Sequence, residues 1–199
     1  AHSFSQFDRL LEAVRDEWAM FAPQFVRLTV AAQTLPTKDS LLDVSIHAAR
    51  YCEVVQLSSD IELIDHVDMQ LIETLVADRY EEVGRTQPEL AKNISAMDME
   101  TLGDCHANGD LFGARLPEND QLIGMIAVKE NAIGWIAGDL VQEEVVAAAH
   151  AGKGIATQMQ CALARMRAAE IPDQLMLGTI DRHNHASRKS AERAGRPEV

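Results

Sequence analysis

The chain has 199 residues, which is enough for one domain with a sizeable core, or for one domain with an extension. Hydrophobic residues make up 47% and charged residues 25%, a balance that excludes a mostly disordered chain. The formal charge of -13 argues against non-specific binding to nucleic acid or to an anionic membrane. Residues 1–149 hold ten basic and twenty-six acidic side chains, whereas residues 150–199 hold eight and five. The last quarter is therefore a different electrostatic surface.

The cysteines and the apolar runs indicate the compartment. Cys52, Cys105 and Cys161 are scattered and form no Cys-x-x-Cys pair, so neither a disulfide framework nor a cysteine zinc site is predicted. No run approaches the roughly 18 apolar residues of a membrane span, and the first residues lack a signal-peptide pattern. We therefore expect a soluble protein of the cytoplasm that binds neither nucleic acid nor a membrane.

Helical spacing of apolar residues dominates the first quarter of the chain. Residues 7–21 predict an amphipathic helix, and residues 40–50 predict a helix that Ser40 would cap. Residues 25–35 fit either a helix or a strand. The sequence thus predicts a mostly helical extension over residues 1–57, without identifiable chemistry.

Nine elements are predicted after this extension, in an order typical of an α/β (α+β) domain without internal repeats. In chain order they are strand 61–64, helices 66–82 and 87–102, strands 111–116, 121–129 and 132–146, helix 155–171, strand 174–180 and helix 185–194. The three consecutive strands are separated by turn-type residues, the last two by Glu130 and Asn131, which predicts an antiparallel meander.

A Gly-x-Gly turn joins a predicted strand to a predicted helix. Backbone N–H groups and the positive end of a helix dipole meet at such a turn, which suits a phosphate group. Gly152 and Gly154 would let the backbone approach an anion closely, and Lys153 adds a positive charge. The turn lacks the endings typical of nucleoside-triphosphate and dinucleotide loops. The alternatives are another phosphate ligand or a purely structural turn.

Two segments resemble motifs of the GNAT superfamily of acyl-CoA-dependent N-acetyltransferases. Residues 146–157 are similar to motif A, Q/R-x-x-G-x-G/A, with Gly154 at the first glycine and Ala156 at the last small residue. Residues 184–195 are similar to the N-x-x-S-x-x-x-A-E-K-x-G-F helix of ribosomal-protein N-acetyltransferase-like members. The resemblance implies a GNAT-like mixed, mostly antiparallel central sheet flanked by helices.

The resemblance also implies a reaction and a cofactor. An acetyl group would pass from acetyl-CoA to a primary amine of a small molecule or a peptide N-terminus by direct attack. Backbone amides of the glycine turn would bind the coenzyme A pyrophosphate, and a strand amide near Val145 or Val146 would polarise the thioester carbonyl. The residues that the resemblance assigns to the cofactor are Val145, Val146, Ala151, Gly152, Lys153, Gly154, Ile155, Ala156, Thr157, Asn184, Ser187 and Arg188. No metal site is expected.

A carboxylate or a histidine must take the proton of the attacking amine. Asp139, Glu143 and Glu144 lie on or near the strand that precedes the glycine turn. Strand alternation places Glu143 and Glu144 on opposite faces, so we expect only one of them to face the cleft, and we favour Glu144. A solvated acidic strand end is the alternative interpretation.

The sequence departs from the family pattern at several positions. Ala151 stands in the Gln/Arg place, Ala191 in the place of a tyrosine that often acts as general acid, and Arg196 in the place of phenylalanine. The GNAT-like domain is predicted to span residues 58–199 and to lack its last strand or strands. Either a second chain, in a homodimer, or residues 24–57 would supply the missing strand.

Two other functional classes stay open at this point. A catalytically silent module of the same fold would bind acyl-CoA or a partner protein without turnover. A helical interaction protein would use the glycine turn only as a connection. Cofactor binding distinguishes the last class from the other two, and turnover distinguishes an enzyme from a silent module.

Overall fold

In the computed structural model of the protein, the described residues are 4–31, 41–57, 59–118 and 120–199. Their helices and strands are, in chain order, α1 (Phe4–Glu17), β1 (Val44–Arg50), β2 (Glu62–Ile64), α2 (Met69–Thr86), α3 (Pro88–Ala91), α4 (Met99–Ala107), β3 (Leu111–Arg115), β4 (Leu122–Ile133), β5 (Ile136–Val146), α5 (Ile155–Ala168), β6 (Leu175–Asp181) and α6 (His185–Arg193). The chain divides into two compact units, Ala1–Leu42 and Asp43–Val199.

The first unit contains one α-helix within its described residues. The amphipathic spacing of residues 7–21 is confirmed as α1, which is followed by a short 3-10 turn over Ala19–Phe21. Residues 22–31 form neither helix nor strand. The rest of the stretch 25–35, whose structure the sequence left open, lies outside the described residues.

A mixed sheet of six strands forms the centre of the second unit. The strand order is β1-β6-β5-β4-β3-β2, and every neighbouring pair is antiparallel except β5 with β6. The predicted meander is confirmed as β3, β4 and β5. Apolar side chains on one face pack against α5, and those on the other face pack against α2 and α4. The predicted fold class is therefore confirmed.

The helix predicted from Ser40 is wrong, because Val44–Arg50 forms β1 and pairs with β6 along its whole length. The inward side chains of β1 include Ser45 and His47, which are polar and fully buried, so the strand lacks an apolar alternation. This strand belongs to the second compact unit, which begins at Asp43, so the extension predicted through residue 57 is too long. The missing strand was expected to come from a second chain or from residues 24–57. β1 lies within residues 24–57 and pairs with β6.

Two further boundaries differ from the sequence prediction. The predicted break at Glu130 and Asn131 is wrong, because β4 runs on to Ile133 and the hairpin turns at Gly134, whose φ is +62°. The helix predicted over 87–102 is two short helices, α3 and α4. Asp98 separates them because its carboxylate accepts a hydrogen bond from Thr101 N–H and starts a new helix.

The parallel pair β5 and β6 is very short. Its two rungs join Asp139 with Met176 and Leu140 with Leu177. Just before the first rung, Gly138 lies so close to β6 that a Cβ there would be 2.4 Å from the carbonyl oxygen of Leu175. Beyond the second rung the two strands diverge, and a gap opens between residues 141–146 and 178–181.

We expect Gly138→Ala to destabilise the protein by about 1–3 kcal/mol, because the new Cβ meets backbone that cannot move aside. The matched control is Gly84→Ala on α2, where a Cβ meets no atom within 4 Å. That change should stabilise the protein by about 0.5–1 kcal/mol through helix propensity. Urea unfolding of both variants measures the difference. Equal effects at the two glycines would contradict the close approach of β5 and β6.

Candidate functional site

The gap between β5 and β6 widens into a cleft of about 680 Å³, here named the β5/β6 cleft. Its walls are the diverging ends of the two strands, the turn after β5, the first half of α5, one side of α6, and α2 with the residues that follow it. Because parallel strands that diverge leave unpaired backbone on both facing edges, the cleft offers main-chain groups as well as side chains to a ligand.

The glycine turn forms one end of the cleft. Gly152 and Gly154 have φ values of +75° and +81°, and a Cβ at either position would point into open space. Gly154 is the N-cap of α5, so the N–H groups of the next three residues have no acceptor within the helix. Left-handed backbone and unpaired amides together form a cradle suited to an anion. Ala151 differs, because its N–H donates to the carbonyl oxygen of Ala148 at 3.1 Å.

The residues predicted in this turn have three different placements. Gly152, Gly154, Ile155 and Ala156 line the β5/β6 cleft, as does Ala151. The side chain of Lys153 is exposed outside the cleft wall. Thr157 is buried instead, and its hydroxyl donates to the carbonyl oxygen of Ser190 at 3.4 Å. Thr157 thereby fastens α5 to α6 and presents no side chain to the cleft.

The start of α6 forms the opposite wall. Asn184 and Ser187 both line the cleft, but the side-chain oxygen of Asn184 already accepts the N–H of Ser187 at 3.1 Å and caps the helix. Arg188 lies off the cleft wall, and its Nε and one Nη are buried without a partner among the described residues. Ala191, in the place of the family's tyrosine, is buried and offers the cleft no proton donor.

The strand β5 contributes backbone groups. Val145 and Val146 both line the cleft. Ala147 N–H donates to Ile123 on β4 at 2.8 Å, and amides of an antiparallel ladder alternate in direction. The N–H of Val146 therefore points away from β4, toward the gap beside β6, and the N–H of Val145 points toward β4.

Both candidate carboxylates line the cleft, so the expectation that only one would face it is wrong. Glu143 and Glu144 do lie on opposite faces of β5, but the cleft opens between two strands, so side chains from both faces reach its edges. Before these residues, the extra residue Gln142 forms a bulge between the register pairs of Val141 and Glu143.

The carboxylate of Glu143 is fixed by neighbours on the α2 side. The single hydroxyl hydrogen of Tyr80 is shared between the two oxygens, which lie 3.1 and 3.2 Å from the hydroxyl oxygen, and Met97 N–H donates at 2.9 Å. Burial raises the pKa of Glu143, while the Met97 amide and the Tyr80 hydroxyl oppose that rise. No cation contributes, so Glu143 is a buried carboxylate without a countercharge among the described residues.

The carboxylate of Glu144 lies on the α5 side. Its only side-chain donor among the described residues is Gln160, whose Nε2 lies 3.1 and 2.9 Å from its two oxygens. Loss of hydration raises the pKa of Glu144 to about 7, and the charge of Arg196 and the amide of Gln160 oppose the rise. A carboxylate with this pKa and with unoccupied lone pairs is suited to proton transfer near neutral pH.

Sequence reasoning did not identify three side chains of the site, Tyr80, Gln160 and Arg196. Tyr80 and Gln160 lie on helices whose periodicity indicates packing and nothing more. Arg196 carried a signal, because it stands where the family pattern has phenylalanine. It is 2% exposed and lines the cleft beside Glu144.

The described ranges 4–31, 41–57, 59–118 and 120–199 contain neither a metal-binding cluster nor a membrane-spanning helix. Within them, no group of three or more His, Cys, Asp or Glu residues could hold a metal ion. No helix in the same ranges is long and apolar enough to cross a membrane.

No family model matches the sequence, and no curated protein matches it either. Among solved structures, the chain is similar to a GCN5-related N-acetyltransferase from Sphaerobacter thermophilus, with 14% identity and a TM-score of 0.50. The similarity covers 79% of this chain and 48% of that one. An acetyltransferase of the GNAT family from Colwellia psychrerythraea also has 14% identity and a TM-score of 0.50, over 79% and 53% of the two chains.

A Drosophila protein is similar at 15% identity and a TM-score of 0.52, over 79% of this chain and 48% of that one. The chain thus spans about half the length of these three proteins. Similarity at such low identity shows the fold. The chain has the GNAT fold, and the resemblance seen in the sequence is confirmed at that level.

We expect Glu144→Gln to stabilise the protein at pH 8 by about 1–3 kcal/mol and to leave its stability unchanged at pH 4. The pKa of Glu144 lies above its ordinary value, near 4.5, so the folded chain holds a proton that the unfolded chain has lost. Stability from this group therefore falls as the pH rises from about 4.5 to about 7.

Urea unfolding at the two pH values measures the effect. Glu81→Gln is the matched control, because Glu81 is exposed on α2 and its replacement should change stability by less than about 0.5 kcal/mol. A loss of stability in Glu144→Gln at pH 8 would contradict the claim that ionised Glu144 destabilises the folded protein.

Proposed function

We propose that the protein is an N-acetyltransferase that transfers an acetyl group from acetyl-CoA to a primary amine by direct attack. One observation carries the proposal: a single cleft, formed where β5 and β6 diverge, is lined both by an anion cradle and by a carboxylate with a pKa near 7. The GNAT fold supports the same reaction class.

Acetyl-CoA fits the residues that are present. Its pyrophosphate needs backbone donors and close approach, and the open left-handed glycines at 152 and 154 offer both. When bound, it supplies an acetyl thioester that an amine can attack. The amides of Gly152 to Ala156 would hold the pyrophosphate, and Asn184 and Ser187 would face the pantetheine chain from α6.

The two carboxylates would have different tasks. Glu144 would take the proton of the attacking amine, because its pKa is near 7 and Gln160 leaves lone pairs of its carboxylate unoccupied. Glu143 accepts hydrogen bonds from two donors that fix its position, Tyr80 and Met97, and has no countercharge among the described residues. It would attract the ammonium group of the acceptor into the cleft.

The main chain of β5 would polarise the thioester carbonyl. The N–H of Val146 points into the gap beside β6, where it can donate to an oxygen on which negative charge develops. A backbone donor is rigid and needs no reorganisation during the reaction. Because Ala191 offers no hydroxyl, solvent water would return a proton to the departing thiolate.

The acceptor is proposed to be cationic, such as a polyamine, an aminoglycoside or a basic peptide N-terminus. Residues 1–149 are strongly acidic, and Glu143 lines the cleft on the side of α2. We place the reaction in the cytoplasm, because the cysteines Cys52, Cys105 and Cys161 are free thiols.

A second candidate function is binding of acyl-CoA without turnover. Two observations favour it: Ala151 uses its amide inside the turn, and Ala191 replaces the hydroxyl that would protonate the thiolate. Turnover distinguishes the candidates, because only the enzyme releases free thiol when an amine is added.

We expect free coenzyme A to appear when the protein is mixed with acetyl-CoA and a polyamine. A thiol-reactive dye measures its release. Glu144→Gln should lower kcat by about 10²–10⁴-fold, because the proton acceptor is lost. Glu143→Gln should raise KM for the amine by about ten-fold and change kcat by less than about three-fold, because it removes charge attraction.

Calorimetry provides the control for both variants, whose Kd for acetyl-CoA should stay within about three-fold of the parent. Binding of acetyl-CoA with no thiol release from any amine would favour the silent module. Absence of binding would overturn both candidate functions.

We expect Gly154→Ala to weaken acetyl-CoA binding by about ten-fold or more, because a Cβ would enter the space that the pyrophosphate needs. Gly134→Ala in the β4–β5 turn is the matched control. Gly134 also has a positive φ and open surroundings, so both variants should lose about 1–2 kcal/mol of stability. If both changed the Kd equally, or neither did, the glycine turn would not be the binding site.

A further inference from the structure

We propose that Arg196 and Gln160 are positioning residues that orient Glu144 and favour the ionised form of its carboxylate in the β5/β6 cleft. The proposal rests on the function proposed above. It adds a role that the family pattern does not supply, because that pattern has phenylalanine at the position that Arg196 occupies in this chain. Glu144, Gln160 and Arg196 form one continuous chain of hydrogen bonds.

The order of atoms in this chain is fixed by chemistry. Arg196 Nη1 donates to Gln160 Oε1 at 3.0 Å, and Gln160 Nε2 donates to Glu144 at 3.1 and 2.9 Å. An arginine can only donate and an ionised carboxylate can only accept, so the amide of Gln160 has one possible orientation. The cation at one end and the anion at the other polarise the amide between them. Gln160 therefore transmits the charge of Arg196 to Glu144.

Arg196 is held so that its guanidinium stays in the cleft wall. Its N–H donates to Ala191 at 2.9 Å, and its carbonyl oxygen lies 3.0 Å from Nδ1 of His47. Its Nη2 also donates to the carbonyl oxygen of His47, at 3.4 Å. The guanidinium lies over Gly178, where a Cβ would be 2.6 Å from Nη2. β1 and the backbone of Gly178, which has no side chain, thus fix the position of the Arg196 guanidinium.

The charged groups that act on Glu144 come from two elements. Arg196, after α6, favours the ionised carboxylate, and Glu143, on β5, disfavours it. From α5, Gln160 is uncharged, and the register partner on β4 is the apolar Ile126. Loss of Arg196 would therefore leave the Glu144 carboxylate with only a repelling charge. The pKa of Arg196 is itself lowered by burial, and Glu144 opposes that change.

Burial of Arg196 and Gln160 is costly in free energy, which argues for a role beyond folding. Arg196 and Gln160 are 2% and 1% exposed, and Nε of Arg196 has no partner among the described residues. An apolar group in this place would be expected to stabilise the fold at least as well as a buried polar chain does. Buried polar groups that fail to optimise stability concentrate at functional sites.

The first test measures ionisation without turnover. Protein labelled with ¹³C at glutamate carboxyl groups is titrated by NMR, and the Glu144 signal is assigned by its absence from Glu144→Gln. We expect Arg196→Met to move the Glu144 midpoint upward by about one pH unit. Gly178→Ala, which displaces the guanidinium without removing it, should move it in the same direction. Arg196→Lys should keep it within about 0.3 pH unit of the parent.

Arg167→Met is the matched control, because Arg167 is also partly buried and paired with Asp110, but lies off the cleft wall. It should lower stability and leave the Glu144 midpoint unchanged. An unchanged midpoint in both Arg196→Met and Gly178→Ala would overturn the proposal. So would an equal movement in Arg167→Met, because the effect would then be a general loss of packing.

The second test is the pH profile of kcat/KM. With Arg196→Met the acidic limb should follow the NMR midpoint, so activity at pH 7 falls about five-fold and recovers by pH 9. A loss that is equal at all pH values would show a structural role and overturn the proposal. If the parent protein shows no turnover, the proposed function fails, and the NMR titration still decides whether Arg196 controls the charge of Glu144.

Discussion

The divergence of β5 from β6 after two rungs of pairing is the constraint on which the rest of the structure depends. Gly138 permits close contact at the rungs, and the extra residue Gln142 then bends β5 away. Separation of the strands frees the amide of Val146, and the turn that follows carries the chain into the cradle at Gly152 and Gly154. A ligand can thus meet main-chain donors along the whole path without a dedicated basic side chain.

The same gap determines the electrostatics. Glu143 and Glu144 project from opposite faces of β5, yet both reach the cleft, and their environments differ in charge. Glu143 has hydrogen-bond donors and no cation, while Glu144 is linked to Arg196 through Gln160. Two adjacent carboxylates with unequal surroundings can divide the work between substrate attraction and proton transfer.

Local patterns in the sequence predicted most of the second unit, because the meander, the glycine turn and the helix from Ile155 depend on neighbouring residues. The strand β1 escaped prediction because its buried side chains, Ser45 and His47, are polar and are satisfied by each other and by the distant backbone at residues 180 and 196. Strand alternation placed Glu143 and Glu144 on opposite faces correctly, but a period of two cannot show that the cleft opens at the edge of β5, where both faces reach it. Arg196 stood out as a departure, but its link to Glu144 needs tertiary structure.

A crystal structure of the protein with coenzyme A tests the central claim most directly. The account predicts the pyrophosphate within hydrogen-bond distance of the amides at residues 152–156 and the pantetheine chain in the gap between β5 and β6. It also predicts that the thiol end lies beside Val146. Coenzyme A bound elsewhere, or a gap closed by pairing between β5 and β6, would contradict the account.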